Sequence, residues 1–235
     1  MIKLWLTDGL CDQMFMLFTC LSFSIDTNTE FKIISYVHKN MTDDKTYWTS
    51  IFSVFRPYLF HYVNTQKSKF QNNNFFDENH DIKYNQLILD PSEEYVLTGK
   101  FQSYKYFDKN IDQILKYTKI DQKRNKIKEE YHKYFNKKNI VIQFFTRQYI
   151  ENQDKYYILK PEYYIHAIKT LERNLKKRGE KIEDYNILYH CSEEDQEYTE
   201  RYLKVMRCLT QQKLDFIQID QSIEDWKLLL FISCC

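Results

Sequence analysis

Four short segments of this 235-residue chain set polar side chains where apolar runs end. The first is Leu6-Thr7-Asp8-Gly9-Leu10-Cys11-Asp12-Gln13-Met14-Phe15, which reads as a strand turning into a helix. Such a turn aims backbone N–H groups from a helix N-terminus, a geometry that holds phosphate. A single glycine there is also satisfied by being a turn, and Asp12 as a cap would stabilise the helix while repelling phosphate. The second is Leu97-Thr98-Gly99-Lys100-Phe101-Gln102-Ser103-Tyr104-Lys105-Tyr106-Phe107, with polar groups interleaved among aromatics. Aromatic faces take sugar C–H surfaces while neighbouring amides take hydroxyls; the competing reading is an aromatic helix start packed on a core. The third runs from Ile142 through Gln143, Phe144, Phe145, Thr146, Arg147 and Gln148 to Tyr149. Arg147, at the end of an apolar run, carries a planar fork suited to a diphosphate or carboxylate, and is otherwise a surface arginine. The fourth is His190-Cys191-Ser192-Glu193-Glu194-Asp195. Helix capping by Ser192, with acidic residues in the first turn, accounts for it; Glu193 or Glu194 as a ligand contact or base is the chemical alternative.

No Ser/His/Asp or Cys/His set has a local signature, and there is no P-loop, G-x-G-x-x-G or C-x-x-C. His190-Cys191 is an isolated pair without further zinc ligands.

The elements that must position these segments alternate along the chain. Lys3–Leu6 reads as a strand, Gln13–Ser24 as an apolar helix, Phe31–Val37 as a strand and Thr46–Phe55 as a helix with one aromatic face. Asn72–Asp81 reads as a surface loop, Tyr95–Gly99 as a strand and Phe107–Tyr117 as a helix. The Lys/Glu-rich run Lys123–Lys138 reads as a solvated helix. Beyond it come a strand over Asn139–Phe145, a helix over Pro161–Lys177, a strand over Tyr185–Tyr189, a helix over Glu193–Arg207, a strand over Phe216–Ile219 and a helix over Glu224–Cys234. Strands alternating with long helices predict an α/β fold with parallel sheets. The charged stretch divides the chain into residues 1–115, a linker helix over 116–138 and residues 139–235, and predicts two Rossmann-like lobes with a cleft between them.

Composition narrows the partners. With 43% hydrophobic and 17% aromatic residues the chain can fill a core, and 34 basic against 33 acidic side chains give no bias toward nucleic acid or anionic membranes. Three glycines and three prolines exclude collagen-like and linker-rich chains. The apolar run Met1–Leu6 is short for a signal sequence and is interrupted by Thr7-Asp8-Gly9, and no apolar stretch is long enough to span a bilayer. The expectation is a cytoplasmic protein whose six cysteines, irregularly spaced, are reduced thiols.

Taken in order, the segments resemble glycosyltransferase family 11, the α-1,2-fucosyltransferases. Asp8-Gly9-Leu10-Cys11-Asp12-Gln13-Met14-Phe15 is similar to the family's G-G-L-G-N-Q-M-F, and Tyr47-Trp48 with Ile51-Phe52 to a helix often seen next. The most specific match is Gly99-Lys100-Phe101-Gln102-Ser103-Tyr104-Lys105-Tyr106-Phe107 to G-Y-F-Q-S-x-K-Y-F. Ile142–Tyr149 falls where the family has I-H-V-R-R-G-D-Y, Leu159–Tyr164 resembles L-P-x-x-Y-Y, and Ser192-Glu193-Glu194 an S-D-D turn. Phe216–Cys235 resembles the approach to the family's last block and ends within its start, which predicts an incomplete second lobe.

The resemblance implies a GT-B fold and transfer of L-fucose from GDP-fucose to a galactoside 2-hydroxyl with inversion, without a metal. It assigns donor binding to Gly9, Gln13, Gln143, Arg147, Gln148, Tyr149 and Ser192, acceptor binding to Gln102, and no base. The chain departs from the pattern with Gln143 for the histidine, Phe145 for the diphosphate-holding arginine, Arg147 for the glycine and Gln148 for the aspartate. Arg147 lies two residues beyond Phe145, and on a strand a shift of two keeps the same face. Cys11-Asp12 replaces a Gly-Asn pair, adding negative charge where phosphate would approach. The alternative implied by these departures is a catalytically inactive relative that binds glycans or acts as a scaffold.

Overall fold

The computed structural model describes residues 1–35, 47–61, 74–78, 84–86, 88–145, 154, 157–209 and 214–235. The chain divides into two compact units, Met1–Lys123 and Arg124–Cys235.

Unit 1 is built on five parallel strands: β1 (Ile2–Leu6), β2 (Phe31–Ser35), β3 (Leu59–His61), β4 (Asn74–Glu78) and β5 (Tyr95–Gly99). Their spatial order is β3-β2-β1-β5-β4. The chain thus steps outward from β1 through β2 to β3, then crosses to the far edge and returns to lay β5 beside β1. The strand order reverses between β1 and β5, where open parallel sheets bind ligands at the carboxyl ends. Helix α1 (Leu10–Thr27) joins β1 to β2, and every residue from Met16 to Phe23 in it is buried. A helix apolar on all sides belongs in an interior, and a polar face would have made it a surface helix. It stops at Asn28, whose left-handed φ of 49° an asparagine tolerates and whose N–H bonds back to Ile25 and Ser24. Leu4, Ile33 and Leu97, on the three central strands, are fully buried. Helix α2 (Ile111–Thr118) packs on α1, and Asn110 beside it donates from Nδ2 to Ser22 Oγ at 3.0 Å and Asp26 Oδ1 at 2.8 Å. Helix α3 (Ile120–Glu130) contains the boundary between the units.

Unit 2 carries a parallel sheet in the order β6-β7-β8, from β6 (Lys138–Gln143), β7 (Tyr185–His190) and β8 (Phe216–Gln218). Helix α4 (Pro161–Lys177) follows β6, α5 (Gln196–Leu209) follows β7, and α6 (Asp225–Ile232) follows β8. Proline at the first position of α4 gives up an N–H that has no helical partner there. Phe144, Ile168, Ile187, Leu203, Met206 and Phe216 form the centre of the core. Phe231 of α6, fully buried, sits against Tyr131, Tyr134 and Phe135 with ring centroids 5.9, 5.5 and 4.9 Å away.

The α/β class with parallel sheets is as the alternation predicts. Several local expectations are corrected: the charged run read as one helix over Lys123–Lys138 holds the end of α3 at Glu130, a 3-10 turn (His132–Tyr134) and the start of β6 at Lys138, and the strand read over Asn139–Phe145 ends at Gln143. Residues 47–55 form turns leading into a 3-10 helix (Ser53–Tyr58) that contains Pro57, not an α-helix; the aromatic spacing still fixes burial, with Tyr47, Ile51, Phe52 and Phe55 all inside. Asn74–Glu78 is the edge strand β4, not loop, since pairing along β5 outweighs its polar ends. Two helices expected from Phe107 and Glu193 open instead with short 3-10 turns (Asp108–Asn110, Glu193–Asp195).

Candidate functional site

The reversal in unit 1 brings the two best-matched segments together. Thr7-Asp8-Gly9 leaves β1 and Lys100-Phe101-Gln102-Ser103 leaves β5, so both loops stand at the same end of neighbouring parallel strands. They are bonded to each other through Asp12, in the first turn of α1. Lys100 Nζ lies 3.2 Å from Asp12 Oδ2 and 3.7 Å from Asp8 Oδ1, and Gln102 Nε2 donates to Asp12 Oδ1. Gln13 is buried and donates from Nε2 to the Asp8 carbonyl at 2.7 Å, while its Oε1 has no hydrogen-bond partner among the described residues. Thr7 Oγ1 donates to Asp8 Oδ2 at 2.8 Å.

Backbone strain concentrates in the same two loops. Positive φ occurs at Asp8 (66°), Gly99 (110°) and Phe101 (50°), whereas the other described instances, Asn28, Lys119 and Gly179, all end helices. A phenylalanine in this region costs about 1–3 kcal/mol, and such strain gathers at ligand sites. Full burial of Phe101, with its ring edge-on to Tyr106 at 5.4 Å, holds it there. Gly99 needs to be glycine for its φ. Gly9 does not: its φ is −79° and a Cβ on it would meet nothing within 4 Å. It is the N-cap of α1, without a side-chain bond, and Asp12, a cap candidate in the sequence, turns to Lys100 and Gln102 instead.

The hydrogen bond to Asp12 holds the Lys100 ammonium above its ordinary pKa, against an opposing push from burial. Asp8, Asp12 and Lys100 together carry one net negative charge beside the N-terminus of α1. A phosphate would meet that charge; a sugar hydroxyl, which both donates and accepts, finds carboxylate, ammonium and amide partners.

At the carboxyl end of the unit 2 sheet, Gln143 is the exposed last residue of β6, opposite His190. Ser192, after β7, caps the next turn by accepting from the Asp195 N–H at 3.2 Å, as its sequence position predicts. Glu193 and Glu194 lie in that turn, both exposed. Phe144 is buried in the core and Phe145 is 49% exposed. Arg147, Gln148 and Tyr149 lie outside the described residues.

Sequence reasoning missed a carboxamide cluster here. Gln218 and Gln221 donate from Nε2 to Gln196 Oε1 at 2.9 and 2.8 Å, and the Cys191 thiol reaches the same oxygen at 3.3 Å. The available signal was position: all four residues sit where β7 or β8 ends or its following helix begins. Burial lowers the pKa of His190.

None of the six cysteines is joined in a disulfide. Among the described residues, no three His, Cys, Asp or Glu side chains are placed to hold a metal ion, and no helix is long and apolar enough to cross a membrane.

Fold and sites together define an α/β protein of parallel sheets with polar clusters at the carboxyl ends of the strands. Comparison with family models, curated proteins and solved structures finds no match.

Proposed function

We propose that this protein is a fucosyltransferase of the α-1,2 type, transferring L-fucose from GDP-fucose to the 2-hydroxyl of a galactoside with inversion. The observation that carries this reading is the bonding of Asp12 to Lys100 and Gln102, which joins the two segments of closest resemblance at the strand-order reversal. On this reading Asp12, Lys100 and Gln102 read acceptor hydroxyls in unit 1, with Gly9 and Gln13 shaping the loop. The donor belongs to unit 2, bordered by Gln143, Arg147, Gln148, Tyr149 and Ser192. Arg147 supplies the cationic fork that stabilises departing GDP, while a base takes the acceptor proton as its oxygen attacks the anomeric carbon. GT-B lobe organisation is part of the same proposal.

The test is incubation with GDP-fucose and a β-galactoside, analysing the product linkage. The reading predicts an α-linked fucose on the 2-hydroxyl, with turnover falling roughly ten-fold or more in Asp12→Ala through loss of a charge-assisted hydroxyl contact. Folded protein that releases no GDP and forms no product with any galactoside contradicts it.

A second reading, an inactive relative that binds glycans, is favoured by Phe144 and Phe145. One fills the core and the other presents an apolar ring where the resemblance expects the diphosphate-holding arginine. Glycan-array binding without GDP-fucose binding supports this alternative.

A further inference from the structure

Unit 1 carries a cleft at the end of its sheet opposite the Asp12 loops, where α1 finishes and β2 begins. Its volume is about 530 Å³, within the range of small-molecule sites. Leu21, Phe31 and the rings of Tyr58 and Tyr117 supply apolar surface. Phe31 and Tyr58 stack at 4.4 Å with planes 12° apart, and Tyr58 and Tyr117 lie 6.5 Å apart at 58°. Tyr117 is 36% exposed, so an aromatic face borders the opening. The Tyr117 hydroxyl is held above its ordinary pKa by burial and by its bond to Tyr58.

Of the other polar residues in the lining, Ser24 and Thr29 donate their hydroxyls to backbone carbonyls, which leaves the side chains of Asn28, Glu30, Lys32 and Gln113. None of their side chains bonds to another described residue. Elsewhere in unit 1, cations near carboxylates are paired: Lys3 with Glu94, Lys100 with Asp12 and Lys109 with Asp26. The cleft therefore offers a carboxylate, an ammonium and two carboxamides whose hydrogen-bonding capacity is free for a ligand, beside aromatic faces.

The charges of Glu30 and Lys32 cancel, which gives no preference for a phosphate or for a cation. Mixed donors and acceptors without net charge, next to tyrosine rings, complement a ring with hydroxyls on its rim and C–H groups on its faces. We infer that this cleft is a binding site for a neutral hexose unit of a glycan, separate from the Asp12 site. It lets unit 1 hold a sugar chain whether or not the protein transfers fucose.

The experiment is calorimetric titration of the intact chain with methyl β-D-galactopyranoside and methyl α-D-glucopyranoside, with tetramethylammonium as the charged comparator. It is run in an Asp12→Ala background so that the other site does not contribute. Saturable glycoside binding is expected, weakened roughly ten-fold or more in a Glu30→Gln/Gln113→Ala variant, whose altered side chains carry no structural bonds. Tyr117→Phe keeps the ring and weakens binding less. Overturning results are glycoside affinity unchanged in the double variant, no saturable glycoside binding by folded protein, or binding of tetramethylammonium alone. Transfer activity is read separately, so failure of the transferase proposal leaves this outcome distinguishable.

Discussion

The bond between Asp12 and Lys100 is the contact that ties the loop after β1 to the loop after β5, and its strength follows from its surroundings. The charged atoms are 3.2 Å apart, with the Asp12 side chain 20% exposed and that of Lys100 40% exposed. Solvent reaches the ammonium, so screening limits the pair to about 0.5–1 kcal/mol. Asp12 also accepts from Gln102, a bond contributing about 0.5–1.5 kcal/mol, and sits in the first turn of α1, where a negative charge contributes about 0.3–1 kcal/mol. Asp12→Ala is therefore expected to destabilise unit 1 by about 2 kcal/mol, and Lys100→Met by about 1 kcal/mol or less. The double variant should fall short of additivity by about 0.5–1 kcal/mol. Urea denaturation in a Trp226→Phe background isolates the effect, because the remaining tryptophans, Trp5 and Trp48, both lie in unit 1. Added salt should shrink the coupling. Strict additivity, or stabilisation on removing Asp12, would refute the argument that this pair joins the two loops.

Phe231→Ala should destabilise unit 2 by about 3–5 kcal/mol, as expected for a fully buried ring with three aromatic neighbours; fluorescence of Trp226 during urea unfolding in a Trp5→Phe/Trp48→Phe background reads it, and a loss below about 1 kcal/mol contradicts the packing. His190 has its pKa lowered by burial from an ordinary 6.5, so the unfolded chain binds the extra proton first. Its contribution is present above about pH 6.5 and declines as pH falls through the lower folded value; His190→Gln should flatten the stability profile of unit 2 below pH 6.5. Thiol labelling of the folded protein should modify Cys11 and Cys208 quickly, and Cys20 and Cys191 only on unfolding; burial also pushes the Cys20 thiol well up, and rapid labelling of Cys20 contradicts its place in α1.

Strands and helices with strong local patterns were legible in the sequence. Tyr95–Gly99 and Pro161–Lys177 have the bounds their composition predicts, because an apolar run ending in glycine and an amphipathic run opening with proline are local signals. β4 was not legible: Asn74-Phe75-Phe76-Asp77-Glu78 reads as turn chemistry until β5 provides the pairing, which comes later in the chain. The site was half legible for the same reason. Gly9, Gln13 and Gln102 could be singled out as polar groups after apolar runs. The bonding of Gln102 and Lys100 to Asp12 depends on β5 returning beside β1, a non-local event that no window of residues encodes. Asp12 read as a helix cap because the sequence shows its neighbours in α1 but not Lys100, 88 positions away. The glutamine cluster around Gln196 was invisible because amide side chains have no spacing signature; only the ends of β7 and β8 bring them together.

The most direct test of the transferase reading is calorimetric titration of the purified protein with GDP and GDP-fucose, beside an Arg147→Ala control. Micromolar binding of both is expected, lost or strongly weakened in the variant if Arg147 holds the diphosphate as proposed. A well-folded sample that binds neither nucleotide contradicts the transferase proposal and leaves glycan recognition as the function to pursue.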